Sequence, residues 1–163
     1  IFSENDENAN KIQSYKDLET GQRGYVITGK DSYLEPFNLA LINIDKELDK
    51  LQKEKLWQTG DVKIYYSRLT DIARSYIELQ YKIPAMEQTT DELMSAMHKG
   101  VMKQSLKKEL NDVLVLSDFV KFAKAKPDFI ENENSFKIIK DFIDKTKQLE
   151  EENKTTDKIS PKN

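Results

Sequence analysis

One histidine, no cysteine and a scatter of carboxylates are what this 163-residue chain offers to reaction chemistry. His98 sits in Ala96-Met97-His98-Lys99-Gly100-Val101. A phospho-accepting histidine belongs on a long dimerisation helix with acidic and proline-containing flanks. This context reads instead as an exposed helix-end histidine, well placed at the negative pole of the helix dipole. Structural zinc asks for about four nitrogen or sulfur ligands, more than one histidine can assemble. Neither G-x-x-x-x-G-K-[ST] nor G-x-G-x-x-G occurs, so no phosphate cradle is present. Asp71 and Arg74 read as a helix-surface pair rather than an acid/base site. Asp128, Glu131 and Glu133 could attract a hard cation, yet they lack the glycine-punctuated loop of calcium sites. The chain is expected to have no catalytic residue, no cofactor, no metal ligand and no enzymatic activity.

The aromatic residues carry a different kind of chemistry. Tyr65, Tyr66, Tyr76 and Tyr81 cluster on and after one helical segment, and a buried hydroxyl needs a partner. The plainer reading places them along the seam between core and rim; the sharper one is a ligand pocket between helices. Trp57, Tyr65, Tyr76, Phe119 and Phe122 form the candidate interaction surface.

The most informative stretch is Asp17 to Phe37, reading DLETGQRGYVITGKDSYLEPF. Gly21 and Gly24 lie three apart inside a helical pattern, where each glycine costs about 1 kcal/mol relative to alanine. Close approach of another helix would explain that cost. Glu19 and Arg23 make an i,i+4 pair of favourable orientation. Gly29 closes the helix, Asp31 or Ser32 caps the next, and Pro36 is tolerated in its first turn. Glu19, Thr20, Gly21, Gln22, Arg23, Gly24 and Tyr25, then Gly29, Tyr33, Leu34, Glu35 and Pro36, resemble the signature of the third-class CHASE sensory domain. That family is an extracytoplasmic four-helix bundle of bacterial histidine kinases, diguanylate cyclases and chemotaxis-like receptors. The resemblance spans about residues 14–38 and implies helix-contact roles for its residues.

A second resemblance covers about residues 39–147. Leu56-Trp57-Gln58, Tyr76-Ile77-Glu78, Ile83 to Glu87, Thr89 to Glu92 and Ser117 to Lys126 are similar to the helical cytoplasmic segment of poorly characterised bacterial membrane proteins. The first resemblance implies a periplasmic or other extracytoplasmic location and the second the cytoplasmic face; they meet in one helix.

Composition agrees with amphipathic helices: 34% of residues are charged and 37% hydrophobic. Lys+Arg 26 against Asp+Glu 29 gives a net charge of −3 without a basic block, which argues against nucleic acid as a partner. No apolar run, Val113 to Leu116 included, comes near the roughly 20 residues that span a bilayer. Ile1 in place of an initiator methionine predicts a fragment or processed product. Without cysteine the redox compartment stays open.

Hydrophobic spacing predicts an all-α protein: a long antiparallel helical hairpin or bundle, a compact helical subdomain and a disordered C-terminal tail. Ser3 opens a helix running to about Thr28. Leu34, Phe37, Leu41, Ile44, Leu48 and Leu51 alternate spacings of three and four and predict a seam helix continuing to Trp57. Thr59 and Gly60 mark a turn. Val62, Tyr65, Leu69, Ile72, Tyr76 and Leu79 repeat the spacing up to the boundary before Pro84. Thr89 to Glu92 reads as a capping box opening a short helix to about Lys99. Further helices are expected over 103–126, burying Leu106, Leu110, Val113, Leu114, Phe119, Val120 and Ala123, and over 132–150. The domains expected are a CHASE-like hairpin at 1–57, a helical subdomain at 58–150 and a tail at 151–163. The functional expectation is a non-catalytic sensory or signal-transmitting module of a membrane-associated bacterial signalling protein. The alternative is a cytoplasmic protein-protein interaction domain with no sensory role. Partners expected are another protein, or a second copy engaged through the helical seams, with membrane attachment through segments outside this chain. The small-molecule ligand is left open.

Overall fold

The computed structural model describes residues 35–97 and 102–157, with side chains through 152. The described residues form helices and no strand, as the periodicity requires. The chain divides into two compact units, 1–47 and 48–163. Of the first unit the described part is the opening of helix α1 (Glu35–Glu54). Pro36 lies in its first turn, where a missing N–H leaves no hydrogen bond unmade.

In the second unit α1 ends with Leu48 and Leu51 fully buried. The helix stops at Glu54 rather than Trp57 because Lys55 takes a left-handed conformation, φ 51°. The turn is then closed by the Asp61 N–H on the Leu56 carbonyl at 2.8 Å and by the Thr59 hydroxyl on the same oxygen at 3.0 Å. Gly60, at φ 98°, supplies the positive φ that the predicted turn needs.

Helix α2 (Val62–Tyr81) is the centre of the unit. Its predicted stripe holds, but Tyr66, Thr70, Ala73, Arg74 and Ile77 are buried as well, so it is covered on more than one side. It ends where Lys82 turns left-handed, ahead of Pro84. Helix α3 (Thr90–Ala96) opens with the expected capping box: Thr89 Oγ1 accepts the Glu92 N–H, and the Glu92 carboxylate accepts the Thr89 N–H. Those bonds hold the Glu92 carboxyl below the usual range.

Helix α4 (Gln104–Phe122) buries Leu106, Leu110, Val113, Leu114, Ser117 and Val120. It stops before the expected Lys126 because Lys124 is left-handed, φ 56°, and turns the Ala125 N–H back onto the Phe119 carbonyl at 3.1 Å. Phe119 and Ala123, expected inside, are exposed. Helix α5 (Phe129–Asp157) begins earlier and runs later than expected. Its start is fixed by a reciprocal cap: Asp128 Oδ1 accepts the Glu131 N–H and Glu131 Oε2 accepts the Asp128 N–H, both at 2.8 Å. Its end passes Glu150 because no glycine or proline intervenes before Asp157. Part of the segment expected to be disordered is therefore helical.

Helix α2 packs on α4 and α5, α4 on α5, and α3 on α4. Hydroxyl contacts pair Tyr65, Tyr66 and Tyr76 with residues 132, 135 and 146 in ascending order, so α2 and α5 run in the same direction. Helix α4, joined to α5 through residues 123–128, runs opposite to both.

Candidate functional site

Three tyrosines tie α2 to α5. The Tyr65 hydroxyl donates to the Asn132 carbonyl at 2.9 Å. Tyr66 meets Ser135 Oγ at 3.2 Å, and Tyr76 meets Thr146 Oγ1 at 2.7 Å. Ser135 Oγ already donates to the Glu131 carbonyl and Thr146 Oγ1 to the Phe142 carbonyl. A hydroxyl has one proton, so Tyr66 and Tyr76 are the donors in their pairs. The rings stack edge-on, Tyr65 with Tyr66 at 5.2 Å and Tyr76 with Phe142 at 5.7 Å between centroids. Burial pushes all three phenols above the ordinary 10.0. Tyr65 and Tyr76 are therefore core residues and do not face a partner as expected.

A second polar cluster joins α2, α3 and α4. Arg74 is buried rather than on the helix surface, and its guanidinium donates to the carbonyls of Ala85 and Gln88 and to Thr90 Oγ1. The Thr90 hydroxyl passes its own proton to Asp118 Oδ2 at 2.6 Å. One planar guanidinium thus fastens the 83–89 connection and reaches a carboxylate through a single hydroxyl. Beside it, Thr70 Oγ1 and Ser117 Oγ lie 3.4 Å apart between α2 and α4.

Tyr65, near the head of α2, lies at the base of an open cleft of about 260 Å³. Helix α1 contributes Leu51 and Gln52, the following turn Trp57 and Gln58, and α2 Tyr65. Helix α5 supplies Glu133, Phe136, Lys137 and Lys140. The Trp57 ring packs edge-on against Phe129, 5.1 Å between centroids. Another cleft, of about 290 Å³ between α4 and α5, has Leu106 and Leu149 as its apolar residues and no aromatic wall.

Of the sequence-predicted residues, Trp57 lines the first cleft, half-buried, with Tyr65 beneath it. Phe119 and Phe122, at 54% and 81% exposure, stand at the end of α4, next in the chain to the exposed Phe129 and Ile130. Tyr76 is elsewhere, in the core. Glu19 to Tyr25, Gly29 and Tyr33 lie outside the described residues, as does His98. Asp128 and Glu131 are occupied by each other's backbone, and among the described residues no acidic or histidine cluster is placed to hold a metal. Gln52, Gln58, Lys137 and Lys140 carry in the sequence only the signal of a solvated helix face, and Glu133 stands out there only as one of the carboxylates that could attract a hard cation.

The family model described as the CHASE3 domain matches residues 6–104, more than half of the chain. The chain belongs to the CHASE3 domain family. No curated protein and no solved structure matches it. The CHASE3 match takes in the Glu19 to Pro36 signature and continues past Leu39 through α1, α2 and α3, well beyond the point where the sequence resemblance ends. CHASE3 domains are sensory domains of signalling receptors, typically extracellular, and the family is non-catalytic. This chain is accordingly a sensory signalling module. No described helix is long and apolar enough to cross a membrane.

Proposed function

We propose that this CHASE3 chain is the non-catalytic, extracytoplasmic input module of a membrane-associated bacterial signalling protein, anchored through segments outside the chain. The observation that carries the reading is the CHASE3 match over residues 6–104, which runs from the signature stretch through α1, α2 and α3. In this reading a signal changes the relative placement of packed helices, and that change reaches a distant output. Packed interfaces suit the task because side chains at close-packed density shift between discrete arrangements rather than deforming continuously.

The chain has no cysteine, so an introduced pair reports cleanly. Thr70→Cys with Ser117→Cys replaces two hydroxyls 3.4 Å apart on α2 and α4. Placed between the transmembrane helices of a reporter kinase, the chain is expected to set kinase output, and oxidation of the pair is expected to change that output reversibly. Output indifferent both to the inserted chain and to the cross-link would overturn the reading.

A further inference from the structure

We infer that the cleft between α1, α2 and α5 is a binding site for a free α-amino acid with an apolar side chain. This deepens the sensory reading above and rests on it.

The cleft offers two opposite charges over an apolar floor. Glu133 and Lys137 stand one helical turn apart on α5 and both line it, with Lys140 on the next turn. On a solvated helix face such an i,i+4 pair gains only about 0.2–0.5 kcal/mol by closing, so both charges can turn to a ligand. Here neither side chain has an ion pair or hydrogen bond among the described residues. Lys140, by contrast, is held by Asp144 at 3.3 Å. Glu133 is near enough to the cleft floor that its charge raises the Tyr65 phenol, after burial and Tyr66.

Ligand charge follows from this pair. A simple carboxylate would meet Lys137 but also the uncompensated Glu133; a simple amine would meet Glu133 but also the uncompensated Lys137. A zwitterion satisfies both, its carboxylate toward Lys137 and its ammonium toward Glu133. Charge-assisted hydrogen bonds of this kind are roughly twice as strong as neutral ones. The side chain is then set against Trp57, Phe136 and Leu51. At about 260 Å³ the cleft suits a molecule of amino-acid size rather than a nucleotide or a peptide.

Trp57 is the only tryptophan in the chain and lines the cleft, so its emission reports occupancy directly. The test titrates the full chain with L-leucine, and with isovalerate and isoamylamine, which carry the same hydrocarbon with one charge each. Leucine is expected to give a saturable change in Trp57 emission and a rise in melting temperature. Lys137→Gln and Glu133→Gln are expected to weaken binding about tenfold or more, the loss expected for one charge-assisted hydrogen bond. Both side chains are exposed, so the free variants should melt with the wild type. Absence of a saturable response to leucine and to L-phenylalanine would overturn the inference. So would an equal response to isovalerate or isoamylamine, or binding that survives both substitutions. If the purified chain ignores amino acids yet still sets reporter output, the cleft assignment falls and the sensory reading stands. If it binds leucine but leaves the output fixed, the reverse holds.

Discussion

Tyr76 hands its hydroxyl proton to Thr146 Oγ1 across 2.7 Å, because the Thr146 proton is already committed to the Phe142 carbonyl. The direction of that bond predicts an asymmetry between its two ends. Tyr76→Phe removes a donor and leaves Thr146 with its backbone partner, at an expected cost of about 0.5–1.5 kcal/mol. Thr146→Val leaves a buried phenol with no acceptor, at an expected cost of about 1–3 kcal/mol. In a Tyr76→Phe background the second change should cost less than it does alone. Urea denaturation of the four proteins measures this, and equal costs at both ends would reverse the assigned direction.

The same phenols make stability depend on alkaline pH. Tyr65, Tyr66 and Tyr76 are raised above the ordinary 10.0, with burial the largest cause in each. Below that value the phenol is neutral in both folded and unfolded chains, and its contribution is whole. As pH rises past it, the unfolded chain ionises while the folded one does not, so stability falls by up to about 1.4 kcal/mol per pH unit for each tyrosine. Melting temperatures are therefore expected to be level between about pH 7 and pH 9 and to drop steeply by about pH 11. Tyr65→Phe should make that drop shallower.

Arg74 holds the connection between α2 and α3 by its fork geometry rather than by charge alone. Arg74→Met strips donors from two carbonyls and from Thr90, and should cost at least about 1.5–3 kcal/mol. Arg74→Lys keeps the charge but not the planar fork, so it should recover only part of that loss. Hydrogen exchange would place the damage: protection of α3 amides should fall before that of α5. Uniform loss across the bundle would mean that Arg74 acts on the core instead.

At the end of α4 the expectation runs the other way. Phe122 is 81% exposed, so Phe122→Ser should move stability by no more than about 0.5 kcal/mol. A larger loss in the melting curve would show that this ring is covered in solution.

The sequence made some of these features legible and hid others for identifiable reasons. Seam positions such as Leu51, Leu69 and Tyr76 announce themselves by three-four spacing, and Thr89 with Glu92 by the capping-box pattern. The cap at Asp128 was equally readable as D-x-x-E before an apolar helix, yet its carboxylates drew attention as a cation site. Helices end at Lys55 and Lys124 without a sequence signal, because lysine carries none for left-handed backbone, unlike the glycine and proline that mark other ends. Arg74 looks like any surface cation until the 83–89 connection folds over it. Phe119 looks like core by its spacing until α4 is seen to present it outward. The cleft is the least legible feature, since it joins residues from α1, a turn, α2 and α5 that no local pattern connects.

The division of the chain at residues 47 and 48 leads to the last prediction. Helices α2 to α5 and the buried Leu48 and Leu51 all fall on the C-terminal side of that division. The tyrosine bolts and the Arg74 cluster fall there too, so each buried polar group they satisfy keeps its partner when residues 1–47 are removed. Residues 48–157 expressed alone are therefore expected to be helical and monomeric and to melt in one cooperative transition. A helical fragment that aggregates or melts without cooperativity would mean that the N-terminal unit completes the core. The CHASE3 match begins in the first unit and reaches residue 104 of the second, so in that outcome the signature stretch and α2 would belong to one folding unit.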